Sequence, residues 1–256
     1  MVVQRRLLGK RALVYGGGTG IGFACAEAFA REGAAVFVSS RREEVLRKAV
    51  DRLTAHGRAG WAAGDATVAA DVERVTAAAT AFLGGIDTIV VSAGAGGKTP
   101  IFTTTIDEFQ RIIDQNLRPL FLAVRMAAPQ LLQAGNGAVI AIASMYGLVG
   151  QYERVAYCGA KAGMIGMVRA MALDFADKGV RVNAIAPGFI ETDLARGIAA
   201  QEPDPEAAMR TRRAMHAIPR AGQPEEIGEA AAYLASDAAS FMTGQCLTLD
   251  GGYTVR

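Results

Sequence analysis

The sequence predicts a doubly wound α/β sandwich of three layers, with helices on both faces of a seven-stranded parallel sheet. Two observations predict it. Short β-branched runs alternate with longer alanine-rich segments of helical character, the rhythm that crossover helices impose on a parallel sheet. The strand candidates are also almost continuously apolar, as strands become when both faces of a sheet are covered.

In chain order the strand RALVYGG (11–17) precedes the helical IGFACAEAFAREG (21–33), and the strand AAVFVSS (34–40) precedes EEVLRKAVDRLTAHG (43–57). GRAGWAAGD (57–65) is a weak third strand, with too little branched side chain to be emphatic. DTIVVSAG (87–94), the helical segment 109–133, the strand GAVIAIAS (137–144), the helical segment 157–179, VRVNAIAPG (180–188) and CLTLDGG (246–252) complete the pattern. Residues 189–222 fit no strand, since charged helical pieces flank a PDP break. This stretch is expected to be a lid within a single domain spanning 1–256, because no Pro/Gly/Ser linker or repeat divides the chain.

Composition narrows the function classes. A net charge of +2 over 256 residues, with no long Lys/Arg block, carries no electrostatic footprint for nucleic acid. The three cysteines, Cys25, Cys158 and Cys246, are far apart and lack CxxC or Cys/His spacing, so neither a disulfide framework nor a metal site is expected. A reducing, cytoplasmic setting follows. No signal-peptide core is read at the N-terminus, and the apolar run 137–150 is too short to span a membrane.

Gly16, Gly18, Gly20 and Gly22, with Thr19 and Ile21, form a turn between the first strand and helix. Such a turn lets backbone N–H groups approach a pyrophosphate at the positive end of a helix, although glycines also serve merely to reverse a chain. Ser144 ends a strand, and Tyr157 and Lys161 follow in S-x12-Y-x3-K spacing. Tyr157 and Lys161 share one helical face. A tyrosine loses its proton near pH ~10, but a neighbouring ammonium favours the phenolate and makes neutral-pH acid/base work feasible. An isolated Y-x-x-x-K pair would be ordinary surface residues; the order of the whole set argues otherwise.

Together these residues resemble the short-chain dehydrogenase/reductase family, particularly its 3-oxoacyl reductase and glucose dehydrogenase-like members. The resemblance runs through the Gly16-x-x-x-Gly20-x-Gly22 turn, Asp65, VSAG (91–94), Asn116, Ser144/Tyr157/Lys161, Pro187-Gly188 with Thr192, and GQCLTLDGG. It implies a Rossmann-type fold and a hydride-transferring enzyme that interconverts a small ketone and a secondary alcohol. Tyr157 would exchange the proton, Ser144 would hold the substrate oxygen, Lys161 would bind ribose hydroxyls, and Asn116 would hold a water linking Lys161 to solvent. The resemblance also assigns Asp65 and Ala66 to adenine, Ser92, Ala93 and Gly94 to the cofactor cleft, and Pro187, Gly188, Ile190 and Thr192 to the carboxamide. It implies a homo-oligomer, usually a tetramer and sometimes a dimer in this family.

Where an acidic residue after the second strand would favour NAD, this chain has Ser40-Arg41-Arg42. Arg41 can form charge-assisted bonds to a 2′-phosphate, so NADP(H) is the expected cofactor. Two departures stand out: Tyr15 replaces the family's threonine before the glycine turn, and Val91-Ser92 replaces Asn-Asn. A compensated change in packing between strands one and four is expected. His56 and His216 are expected at the surface, Lys98 and Thr99 in a loop on the substrate side, and Met145, Tyr146, Tyr152, Met209 and Met215 as pocket, core or interface. Alternative readings are a 3-oxoacyl-(acyl-carrier-protein) reductase, for which Lys178 supplies one expected basic residue while 133–137 lacks the other, so that the balance leans against it, and a non-catalytic NADP(H)-binding sensor or scaffold, which the intact Ser/Tyr/Lys/Asn set opposes.

Overall fold

A computed structural model describes residues 5–200 and 202–255. The reading of the N-terminus therefore lies partly outside the described residues, at positions 1–4, as does position 201 of the expected lid. The strands are β1 (Arg11–Tyr15), β2 (Ala35–Ser40), β3 (Ala59–Ala63), β4 (Thr88–Val91), β5 (Ala138–Ile142), β6 (Arg181–Pro187) and β7 (Cys246–Leu249). They form one sheet in the order β3-β2-β1-β4-β5-β6-β7, every neighbouring pair parallel. The weak third strand pairs with β2 from Val36↔Ala59 to Ser40↔Ala63.

Alternation along each strand divides the core into two layers. Val14, Val36 and Val38 face α1 (Gly20–Arg31), α2 (Glu43–Leu53) and α8 (Pro224–Ala235). Leu13, Phe37 and Val91 face α3 (Ala69–Leu83), α4 (Ile106–Ala134) and α5 (Val155–Phe175). The sequence reading singled out neither α3 nor α8. Both bury residues at helical spacing, Val72, Val75, Thr76, Ala79 and Leu83 in α3 and Ile227, Gly228, Ala231, Ala232 and Ala235 in α8. Small side chains weakened that signal, and Gly228 shows why they are needed: a Cβ there would lie 2.5 Å from the Ala24 carbonyl oxygen. α4 begins earlier than expected because Thr105 and Glu108 form a reciprocal capping box.

The Tyr15 departure resolves differently from expectation. β1 and β4 keep a regular ladder to Tyr15↔Val91. The tyrosine ring instead turns to α3, where its hydroxyl lies 2.8 Å from Thr76 Oγ1 and donates at 3.3 Å to the Val72 carbonyl. The changed contact is strand to helix, and burial pushes this phenol up to about 12.

β1 is where strand order reverses, with β2 on one side and β4 on the other. In open parallel sheets a crevice opens beyond the strand C-termini at that reversal.

Candidate active site

The crevice begins at the turn after β1. Gly16 (φ 79°) and Gly20 (φ 55°) occupy the left-handed region, which side chains disfavour. At Gly22 the constraint is proximity, since a Cβ would lie 2.2 Å from the Gly16 carbonyl oxygen. Thr19 precedes α1 without a side-chain cap, so the first-turn amides remain donors for an anion at the positive helix end.

A cavity of about 360 Å³ lies over this turn. Gly16, Gly18, Thr19, Gly20 and Ile21 form its floor, and Ser92, Ala93 and Gly94 one side. Ser40, Arg41 and Arg42, at and after the end of β2, line it beside Asp65 and Ala66, which follow the neighbouring strand β3. Arg41 and Arg42 are exposed, and neither has a carboxylate within ion-pair distance among the described residues. Asp65 Oδ1 is occupied by the Thr67 amide and hydroxyl, at 2.9 and 2.7 Å. Thr67 and Leu194 also line this cavity; the sequence reading missed both, and they carry no motif that would have found them.

Asn116 is fully buried in α4, and its Nδ2 donates at 2.9 Å to both Ala95 and Ile112 carbonyls. Its Oδ1 has no partner among the described residues. A Cβ built on Gly94 would lie 2.8 Å from that oxygen and 3.6 Å from Lys161 Nζ, so Gly94 keeps open the space between the two.

Ser144 was expected to end the strand but lies two residues beyond β5, where it caps the short helical turn Met145–Gly147, its Oγ accepting from the Tyr146 amide at 3.2 Å. Tyr157 and Lys161 lie on α5, with Lys161 Nζ 5.8 Å from the Tyr157 ring centroid. Lys161 is 5% exposed, donates to the Ile142 carbonyl at 2.8 Å, and burial lowers its pKa to about 8. Burial raises the Tyr157 pKa, against which act a hydrogen bond from Ser144 and the charge of Arg154. Sequence reasoning gave the electrostatic task to Lys161 and missed Arg154, although its position one turn before Tyr157 was the available signal.

Ser144, Tyr157, Lys161, Asn116, Pro187, Gly188, Ile190 and Thr192 meet around a junction of about 200 Å³. Ser92 and Gly94 join this junction to the first cavity, and Ser144, Tyr157 and Gly188 join it to a third of about 530 Å³. The third lies beneath α6 (Asp193–Ala199) and α7 (Pro205–Ala214), both inside the 189–222 segment. Met145, Tyr146, Tyr152 and Met215 line it, whereas Met209 is buried and does not. Lys98 also lines it; buried Thr99 instead accepts the Ala156 amide at the start of α5.

His56 is exposed, but His216 is not a surface residue. It is 4% exposed; its Nε2 accepts the Phe189 amide at 3.1 Å, and its Nδ1 lies 3.0 Å from the Arg212 carbonyl. A lone histidine gave no sequence signal for this contact, which arises because β6 exits beside the end of α7.

A family model described as enoyl-(acyl carrier protein) reductase matches residues 16–254. A cyclohexanol dehydrogenase from Acinetobacter sp. (strain SE19) is 37% identical, covering 100% of this chain and 99% of its own. A cis-4-hydroxycyclohexanecarboxylate dehydrogenase from Sinomonas cyclohexanicum is 38% identical over 95% of this chain and 96% of its own. A solved structure of a short-chain type dehydrogenase/reductase from Mycobacterium marinum is 35% identical with a TM-score of 0.92, covering 99% of this chain and 98% of that one.

Proposed function

The chain belongs to the short-chain dehydrogenase/reductase family, and from that premise we propose an NADP(H)-dependent enzyme that interconverts a small ketone and a secondary alcohol, with Tyr157 as acid/base. Its relatives make it an oxidoreductase of CH–OH groups that uses a nicotinamide cofactor. The observation that carries the finer reading is the meeting of Ser144, Tyr157 and Lys161 where the cavity over the glycine turn joins the one beneath α6 and α7.

The residues present fit a dinucleotide. Backbone donors front a glycine turn that side chains would fill, and Asn116 Oδ1 retains an acceptor near Lys161. Arg41 and Arg42 offer unpaired charge where a 2′-phosphate would distinguish NADP from NAD. Ser40, Asp65 and Ala66 complete that end, and Pro187, Gly188, Ile190 and Thr192 would hold the carboxamide end.

When bound, the cofactor supplies the hydride delivered to the carbonyl carbon, or accepts it in the reverse direction. Tyr157 gives its phenolic proton to the carbonyl oxygen and takes it back in oxidation. Because Ser144 Oγ accepts from the Tyr146 amide, its own proton is left to donate to the substrate oxygen or the phenol. Lys161 holds the ribose and, with a water on Asn116 Oδ1, returns protons toward solvent.

Residues 189–222 act as a lid within one domain. Exposed apolar side chains on α4 and α5, Phe121 and Leu173, and near the C-terminus, Phe241 and Val255, support a homotetramer. Unpaired Cys25, Cys158 and Cys246 support a cytoplasmic setting.

A fluorescence titration with NADPH and NADH, on the wild type and Arg41→Asp, tests the cofactor choice. Loss of one charged hydrogen-bonding partner is worth ~1.5–3 kcal/mol, so NADPH affinity should fall by roughly ten- to hundredfold while NADH affinity is held or improved. Equal loss for both nucleotides would remove Arg41 from cofactor selection.

A further inference from the structure

The cavity beneath α6 and α7 carries charge predominantly of one sign. Lys98, Arg154 and Arg212 line it, against the single carboxylate of Glu153. Lys98 and Glu153 lie 3.7 Å apart on exposed side chains, which leaves the two guanidiniums. Arg212, on α7, has Glu202 as its carboxylate neighbour at a loose 3.8 Å and lies 6.0 Å over the Phe189 ring. Arg154 is half-buried; its Nη1 donates to the Gly97 carbonyl at 3.1 Å, and no carboxylate lies within 4.0 Å of it among the described residues.

The backbone beside Arg154 is held in an unfavourable state. Glu153 has φ 56°, the only non-glycine residue with a positive φ among those described, a conformation that costs on the order of 1–2 kcal/mol. Thr99 holds the segment that follows Glu153, its amide donating to the Glu153 carbonyl at 2.6 Å and its hydroxyl accepting the Ala156 amide at 3.2 Å. The strained residue thus sets Arg154 at the start of α5, one turn from Tyr157. Arg154 and Tyr157 line the same cavity of about 530 Å³, so one small molecule can present an anion to the guanidinium and a carbonyl to the phenol.

We infer that the physiological substrate is a small hydroxy or keto acid whose carboxylate is received by Arg154, with Arg212 approaching from α7. Rigid guanidinium forks suit a planar carboxylate, and their own carboxylate partners are absent or loose, so the substrate anion displaces no strong ion pair. The inference rests on the oxidoreductase reading above and specifies its substrate.

The test compares 4-oxocyclohexanecarboxylate with its methyl ester and with cyclohexanone, in the wild type, Arg154→Gln, Arg154→Lys and Arg212→Gln, with circular dichroism as a folding control. The acid should exceed the ester in kcat/KM by about tenfold or more, as expected for a charged hydrogen-bonded contact, and this advantage should shrink with added salt. Arg154→Gln should remove most of the advantage through KM, Arg154→Lys should restore part, and Arg212→Gln should remove a smaller share. An ester used as well as the acid by the wild type would overturn the inference while leaving the oxidoreductase reading standing, and that comparison needs no mutant to fold. Equal loss on acid and ester in Arg154→Gln, carried in kcat, would assign Arg154 to Tyr157 and overturn its role as anion receptor. Turnover of none of the three ketones would overturn the enzyme reading and the inference together.

Discussion

Replacing Lys161 with methionine should make the cofactor-free protein more stable while disabling it. The lysine is 5% exposed, and burial lowers its pKa from 10.5 to about 8. It therefore binds a proton less readily folded than unfolded. The resulting penalty is full below pH 8 and fades as pH rises toward 10.5. At 1.36 kcal/mol per unit it amounts to about 3 kcal/mol near pH 7 and about 1.5 kcal/mol near pH 9.5. Methionine keeps much of the length and carries no charge, but it gives up the bond to the Ile142 carbonyl, a loss of about 1 kcal/mol. Lys161→Met should thus gain about 2 kcal/mol near pH 7, roughly 4–8 °C in Tm for a chain of this size, and almost nothing near pH 9.5. Urea unfolding at the two pH values measures both quantities, and taking the difference between proteins cancels other titrating groups. A variant less stable than wild type near pH 7, or a gap that ignores pH, would refute the reasoning.

Tyr15→Phe should cost only about 1 kcal/mol, roughly 2–4 °C in Tm, because Thr76 Oγ1 still donates to the Val72 carbonyl at 2.7 Å and no buried polar group is orphaned. His216→Phe should cost more, about 1–3 kcal/mol, since it leaves the Phe189 amide without its acceptor; His216→Gln should recover part of this, and thermal melts of the pair decide it.

The sheet was legible because its strands are apolar on both faces and separated by helical segments of adequate length, which leaves few alternatives to a parallel topology. β3 was the weakest strand, and Gly60 explains it: a Cβ there would lie 2.9 Å from the Phe82 ring, so packing required the residue that removes strand propensity. α3 and α8 were overlooked for a related reason, as tight contact with neighbouring elements selected alanine, glycine and threonine over larger apolar residues. At the site, Gly16, Ser144, Tyr157 and Lys161 could be singled out because each is tied to a motif with fixed spacing. Arg154 offered only its spacing of three residues from Tyr157, and Arg212 and His216 offered nothing, because they come from α7 and the turn after it and reach the site only once the chain has folded. Tyr15 was visible as a departure, but its partner Thr76 lies 61 residues away and pairs with it through no local pattern.

The most direct test of the central claim is reduction of cyclohexanone by NADPH, followed by nicotinamide absorbance, in the wild type and Tyr157→Phe, with NADPH binding measured on the same samples. The account predicts wild-type turnover, a fall of about 10²–10⁴-fold in kcat on losing the phenolic proton, and nucleotide binding nearly unchanged. Tyr157→Phe that turns over as fast as wild type would contradict it.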